Sequence, residues 1–219
     1  MATILCLETT TTNCSVTLSV NGSVIAFLED NGRQYSHAER LHVYIEQILR
    51  QEGIKETDLD AIAVSKGPGS YTGLRIGVSA AKGLCFALDI PLLSTSTLEA
   101  LARKLNQVEG FVVSMLDARR MEVYSAVYTS RFDQIRETRA EILSETSFSE
   151  YLEQGKVHFI GNGVEKFKAI CDHKNAVYWE EILPSSQEMG GMAEIKFNTN
   201  DFEDLAYFEP YYLKDFMVG

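Results

Sequence analysis

Apolar positions along this chain alternate between short continuous runs and helically spaced sets. Thr3 to Leu7 (TILCL) is a run of strand type, and CSVTLSV, ending at Val20, is a second. Asn21-Gly22 gives the strongest short hairpin signal, and SVIAFLE follows it as a third strand. Ser36 and Glu39 form a capping-box pattern, and Leu41, Ile45, Ile48 and Leu49 repeat at helical spacing until Gly53, predicting a helix from Ser36 to Glu52. DAIAVSK is the next strand and leads into a glycine-rich turn and an apolar helix. PLLS after Pro91 is a further strand, and Ser96 with Glu99 caps a helix through Leu105. This order predicts an α/β unit with a mixed sheet.

A second unit starts near Gly110. FVVSMLD and MEVYSAVY read as consecutive strands, with a third around Ile135 to Leu143. A helix near Phe148 to Gln154, the strand HFIG and a helix after Gly161-Asn162-Gly163 complete a smaller domain. The predicted division is therefore 1–108 and 109–219. Gly190-Gly191 is expected to interrupt a helix after Pro184, and the aromatic end YFEPYYLKDF is expected to pack back on the first domain.

Ser65 to Leu88 (SKGPGSYTGLRIGVSAAKGLCFAL) carries five of the fifteen glycines. Leu74, Ile76, Val78, Ala80, Ala81, Leu84, Cys85, Ala87 and Leu88 leave only a narrow polar stripe of Arg75, Ser79 and Lys82. A helix apolar nearly all round is covered on more than one face. Two coverings stay open: burial inside one domain, or a sheet on one face and a partner chain on the other.

Composition narrows the function classes. The chain has 219 residues, 45% of them hydrophobic, and a net charge of -11. No 18-residue apolar run is free of charge, and MATILCLE has no basic leader, so a cytoplasmic protein with no membrane association is expected. The acidic balance opposes independent nucleic-acid binding, because neutralising phosphates supplies most of that affinity. Arg119-Arg120 is the only close cationic pair outside the helices, a solvated turn or a phosphate contact. Cys6, Cys14, Cys85 and Cys171 contain no C-x-x-C pair and read as reduced, packed thiols.

The candidate chemistry is sparse. Gly67 to Gly73 is G-x-G-x-x-x-G, which fits neither the dinucleotide fingerprint nor a P-loop, so anion binding at the helix start competes with tight packing as its explanation. The loop Glu8 to Asn13 either presents threonine hydroxyls and amides to a phosphate or is a plain polar turn. Ser79-Ala80-Ala81-Lys82 matches S-x-x-K by coincidence, with no S-D-N or K-T-G segment to support it. His37 and His42, five residues apart on one helix, cannot clasp one metal and are read as surface residues.

Taken together, ILCLETTTTNCSV, HAERLHVYIEQIL, the block from Asp60 to Ala102, LDARRMEVYSAVY, IGNG and EPYYLKD resemble the bacterial TsaB family. These YeaZ-like, glycoprotease-related proteins of threonylcarbamoyladenosine tRNA modification belong to the actin, sugar-kinase and Hsp70 superfamily. The resemblance implies an actin-like, ribonuclease H-like α/β fold of two subdomains, each with a mixed sheet and flanking helices, the second smaller and degenerate.

It also implies a partner, TsaD, whose His-Met-Glu-Gly-His metal stretch reads Thr97-Leu98-Glu99-Ala100-Leu101 here, so neither histidine is present. The Gly-Gly phosphate loop of the superfamily is replaced by Leu116-Asp117-Ala118-Arg119. The implied role is non-catalytic: activation of TsaD, with TsaE joining the assembled pair, a homodimer when alone, and tRNA contacted only through the complex. No cofactor or metal is required by this chain on that view, and whether ATP or ADP binds at the joint with the partner is left open. A vestigial nucleotide site would draw on Glu8, Thr9, Thr10, Thr11, Gly161 and Gly163. The interface would use Leu41, Tyr44, Ile45, Ile48, Gly73, Gly77, Ala80, Ala81 and Leu84. A nucleotide-binding ATPase or a glycoprotease-like metallopeptidase is the rival reading.

Overall fold

A computed structural model describes residues 2–32 and 37–214. The cap assigned to Ser36 lies outside the described residues, as do Asp215 and Phe216 of the aromatic tail. The chain divides into two units, the first of residues 1–100 and 184–212, the second of 101–183 and 213–219.

In the first unit, β1 (Thr3–Glu8), β2 (Cys14–Val20), β3 (Ser23–Asp30), β4 (Ala61–Ser65) and β5 (Leu92–Thr95) form a sheet in the order β3-β2-β1-β4-β5. The first two pairings are antiparallel and the two on the other side of β1 are parallel, as the mixed-sheet expectation requires. Asn21 and Gly22 both take positive φ at the β2–β3 turn. β1 alternates faces with period two. Leu5 and Leu7 join a core with α1 (His37–Glu52) and α2 (Tyr71–Leu88), while Ile4 and Cys6 join one with α6 (Met189–Asn198). Burial on both faces is why β1 reads as a continuous apolar run. Gly53, at φ 66°, ends α1, and Ser70 caps α2 by accepting a bond from the Gly73 amide.

The second unit holds β6 (Phe111–Asp117), β7 (Glu122–Thr129), β8 (Gln134–Ile142), β9 (Val157–Gly161) and β10 (Ala176–Glu180), ordered β10-β9-β6-β7-β8. Its core joins Val113, Met115, Val123 and Val127 to Phe148, Phe159 and Phe167. The short helices α4 (Ser149–Leu152) and α5 (Val164–Lys168) contribute Leu152, Val164 and Phe167 to it.

Three expectations are corrected. The boundary falls within α3 (Thr97–Arg103), after Ala100, rather than at 108, and residues 184–212 belong to the first unit. α6 runs through Gly190-Gly191 without interruption, because a Cβ at Gly190 would stand 3.0 Å from the Ser19 Cβ: the glycine lets the helix lie close on β2. β10 is a strand absent from the sequence reading. The tail is divided: Glu203 bridges to Leu92, the Tyr211 amide donates to the Lys66 carbonyl and Lys82 Nζ donates to the carbonyls of Ala206 and Phe208, all in the first unit, whereas Leu213 and Lys214 belong to the second.

Candidate functional site

Glu8, the last residue of β1, is fully buried. One carboxylate oxygen accepts hydrogen bonds from the Thr10 amide and the Thr10 hydroxyl, both at 2.5 Å. The other accepts one from the Ser65 hydroxyl at the end of β4. A buried carboxylate needs this many donors to offset its lost hydration. The loop after Glu8 is buried too, including Thr9, Thr10, Thr11 and Asn13.

What covers this loop is the glycine turn. The Ser70 amide donates to the Thr10 carbonyl at 2.6 Å, and Thr9 Oγ1 donates to the Gly73 carbonyl at 2.7 Å. A Cβ at Gly69 would lie 2.5 Å from the Thr10 carbonyl oxygen, and one at Gly77 would lie 2.3 Å from Thr9 Oγ1. The glycines of α2 therefore admit this chain's own threonine loop. Glu8, Thr9, Thr10 and Thr11 are thus buried beneath the glycine turn, and the hydrogen bonds of Glu8, Thr9 and Thr10 given above run within the chain.

Gly161 and Gly163 lie in the second unit and are likewise used for packing. A Cβ at Gly161, whose φ is 128°, would fall 2.0 Å from the Met115 carbonyl oxygen, and the Gly163 amide donates to that same carbonyl.

His37 is not on the surface. Its Nε2 lies 2.7 Å from the Thr11 carbonyl and donates to it, tying the first turn of α1 to the loop. Burial pushes its pKa below the ordinary value, against opposing contributions from that bond and from Asp30. Thr97 and Leu101, which the resemblance set against the two histidines, are fully enclosed. Among the described residues, no three His, Cys, Asp or Glu side chains stand together so as to hold a metal ion. Burial drives the thiols of Cys6 and Cys14 up to about 12 and that of Cys85 up to about 11, which leaves them inert packing groups.

The nine expected interface residues divide sharply. Leu41, Ile45, Ile48, Gly73, Gly77, Ala80 and Ala81 are buried in the chain itself, so their assignment to a partner-facing surface is corrected. Tyr44 and Leu84 are half-buried and reach the outer surface. The outward side of α2 is instead Thr72, Arg75, Ser79, Gly83, Phe86 and Ala87, with Ile76 half-buried among them. Phe86 is 81% exposed, and a Cβ at Gly83 would meet nothing within 4 Å. On α1, which packs beside α2, Val43 is 55% exposed. Arg75 and Ser79 of the polar stripe lie on this side, whereas Gly83, Phe86 and Ala87 escaped the sequence reading because they are themselves small or apolar.

Comparison with known proteins places this arrangement in a family. A family model described as TsaD, tRNA N6-adenosine threonylcarbamoyltransferase, matches residues 33–208. The chain is similar to the tRNA threonylcarbamoyladenosine biosynthesis protein TsaB of Haemophilus influenzae, at 31% identity over 97% of this chain and 94% of that one. It is 32% identical, over the same shares, to the TsaB of Escherichia coli. Among solved structures it is similar to YeaZ from Pseudomonas aeruginosa, with a TM-score of 0.84 and 26% identity over 97% of this chain and 100% of that one. A second structure, an uncharacterized Pseudomonas aeruginosa protein with similarity to peptidase YEAZ, gives a TM-score of 0.86 at 26% identity, over 98% of this chain and all of that one. With identity above 30% along nearly the full length of named TsaB proteins, the chain belongs to the TsaB family.

Proposed function

We propose that this chain is a non-catalytic subunit of threonylcarbamoyladenosine biosynthesis that binds TsaD and activates it beside the anticodon of tRNAs reading ANN codons. TsaE joins the assembled pair, and the chain self-associates through the same surface when alone. The observation that carries this reading is the outward face of α2. Phe86, Gly83 and Ala87 present apolar and small groups to solvent on a helix whose opposite face is already buried in the core. A large aromatic side chain left 81% exposed has the character of an interface anchor. Enclosed Thr97 and Leu101 support a role without metal chemistry in this subunit, because neither supplies a ligand where the TsaD stretch carries histidine.

The test is the solution mass of the chain mixed with TsaD, compared with Gly83→Arg. A Cβ at this exposed helical position meets nothing within 4 Å and arginine improves helix propensity, so the variant is expected to keep the wild-type circular dichroism and melting temperature. It is expected to elute unpaired where the wild type forms a heterodimer. A folded Gly83→Arg chain that pairs normally would refute the assignment of this face.

A further inference from the structure

We propose that the turn between β6 and β7 contacts RNA backbone phosphates when the chain is assembled for tRNA modification. The proposal rests on the functional reading above, but its observations are separate and lie wholly in the second unit. Arg119 and Arg120 form the tip of this turn at φ 74° and 51°. The loop is closed by the Ala118 amide on the Glu122 carbonyl and the Glu122 amide on the Arg119 carbonyl. Left-handed backbone at two consecutive residues is what glycine and asparagine adopt most easily, and arginine adopts it only against steric resistance. Hairpin geometry alone would not select this pair.

Both arginines are exposed, and among the described residues neither belongs to an ion pair. The neighbouring carboxylates are already matched. Asp117 pairs with Lys166 at 3.0 Å, and Glu122 pairs with Lys214. Asp117 also accepts the Arg119 amide at 2.6 Å, while Lys166 donates to the Glu122 carbonyl and Lys214 to the Ala118 carbonyl. Four cations thus converge on residues 117–122 against two carboxylates, leaving the two guanidinium groups uncompensated in a chain of net charge -11.

A guanidinium fork matches phosphate oxygens bidentately. An exposed turn suits a polymer passing across it better than a small nucleotide, which needs an enclosing loop of free amides, and here Asp117 already takes the Arg119 amide. The acidic remainder of the chain repels RNA, so this contact acts beside a partner that holds the tRNA.

The experiment measures tRNA binding to the assembled pair of this chain and TsaD as a function of salt, for the wild type and for Arg119→Asn combined with Arg120→Gly. The substituted turn suits its backbone better, so melting temperature is expected to hold or rise and pairing with TsaD to be unchanged. Affinity for tRNA is expected to fall about tenfold, and the slope of log affinity against log salt to shrink by about 1.5, as two lost phosphate contacts require. Wild-type affinity and slope in the variant would overturn the proposal, as would a loss of affinity with no change of slope. Excess ATP that erases the difference between the two proteins would mark a nucleotide site and overturn the assignment to RNA. If the wild-type chain and TsaD fail to associate, the functional reading fails, and the same comparison on the free chain at low salt judges the turn by itself.

Discussion

Thr9 donates a 2.7 Å hydrogen bond from its hydroxyl to the Gly73 carbonyl, and its own carbonyl oxygen lies 2.0 Å from where a Cβ at Gly73 would stand. The loop after β1 and the first turns of α2 are interlocked at atomic contact. Glycine is needed here because a backbone, rather than a flexible side-chain end, occupies the space.

Gly77→Ala tests this interlock. The new methyl would meet Thr9 Oγ1 at 2.3 Å and is expected to cost about 1–3 kcal/mol. For a chain of this size, that corresponds to a melting temperature lower by about 2–4 °C per kcal/mol. Adding Thr9→Ala removes the clashing atom, so the double variant should be more stable than the two single losses predict when added. Simple additivity in thermal melts would show that the contact does not govern this glycine.

Phe86→Ser separates surface from core. At 81% exposure its loss should alter unfolding free energy by less than about 0.5 kcal/mol, yet weaken association with TsaD at least about tenfold. Ala81→Arg, one turn away in the buried core, should abolish folding. Titration calorimetry with the first variant and circular dichroism of the second check the pair, and undiminished binding by Phe86→Ser contradicts the interface.

His158 gives the chain a spectroscopic pH response. Its Nδ1 accepts the indole N–H of Trp179 at 3.2 Å, and its Nε2 donates to the Glu109 carbonyl at 3.2 Å, so only the neutral ring satisfies both. Burial lowers its pKa and Lys156 adds to the effect, against the Glu109 bond. Because the folded value lies below the unfolded value of about 6.5, the stabilisation is complete above about pH 6.5 and is lost as pH falls through the folded value. His37 acts in the same direction. Trp179 is the single tryptophan, so its emission should change as pH falls through the lowered value of His158, before global unfolding. Emission constant down to the acid transition would rule out this coupling.

Cys6, Cys14 and Cys85 should resist alkylation in the native protein at pH 8 and react only after denaturation. Their thiols are buried and held as the neutral form, at about 12, 12 and 11. Mass spectrometry of iodoacetamide-treated native protein reads this directly, and rapid labelling of Cys6 would contradict its enclosure beneath α6.

Much of this architecture is legible in the residues themselves. The meander around Asn21-Gly22, the strands TILCL and DAIAVSK and the helix ended by Gly53 are local patterns, each set by dihedral preference or alternation within a few residues. Where the residues misled, long-range contacts were responsible. Gly190-Gly191 reads as a helix breaker yet sits within α6, since the close approach to Ser19 outweighs its low propensity. His37 reads as a surface residue yet is buried by a carbonyl 26 positions away.

The sequence alone determined the fold class, the order of the elements and the family, because these rest on periodicity, turn chemistry and motifs contiguous in the chain. Only the tertiary structure decided which side of α2 meets solvent and what its glycines are for. A helix with a polar stripe of only three residues, Arg75, Ser79 and Lys82, does not say which of its apolar residues meet solvent, and a glycine marks close approach without naming what approaches. Here that is Thr9 and Thr10 of the same chain, leaving Gly83, Phe86 and Ala87 exposed to solvent.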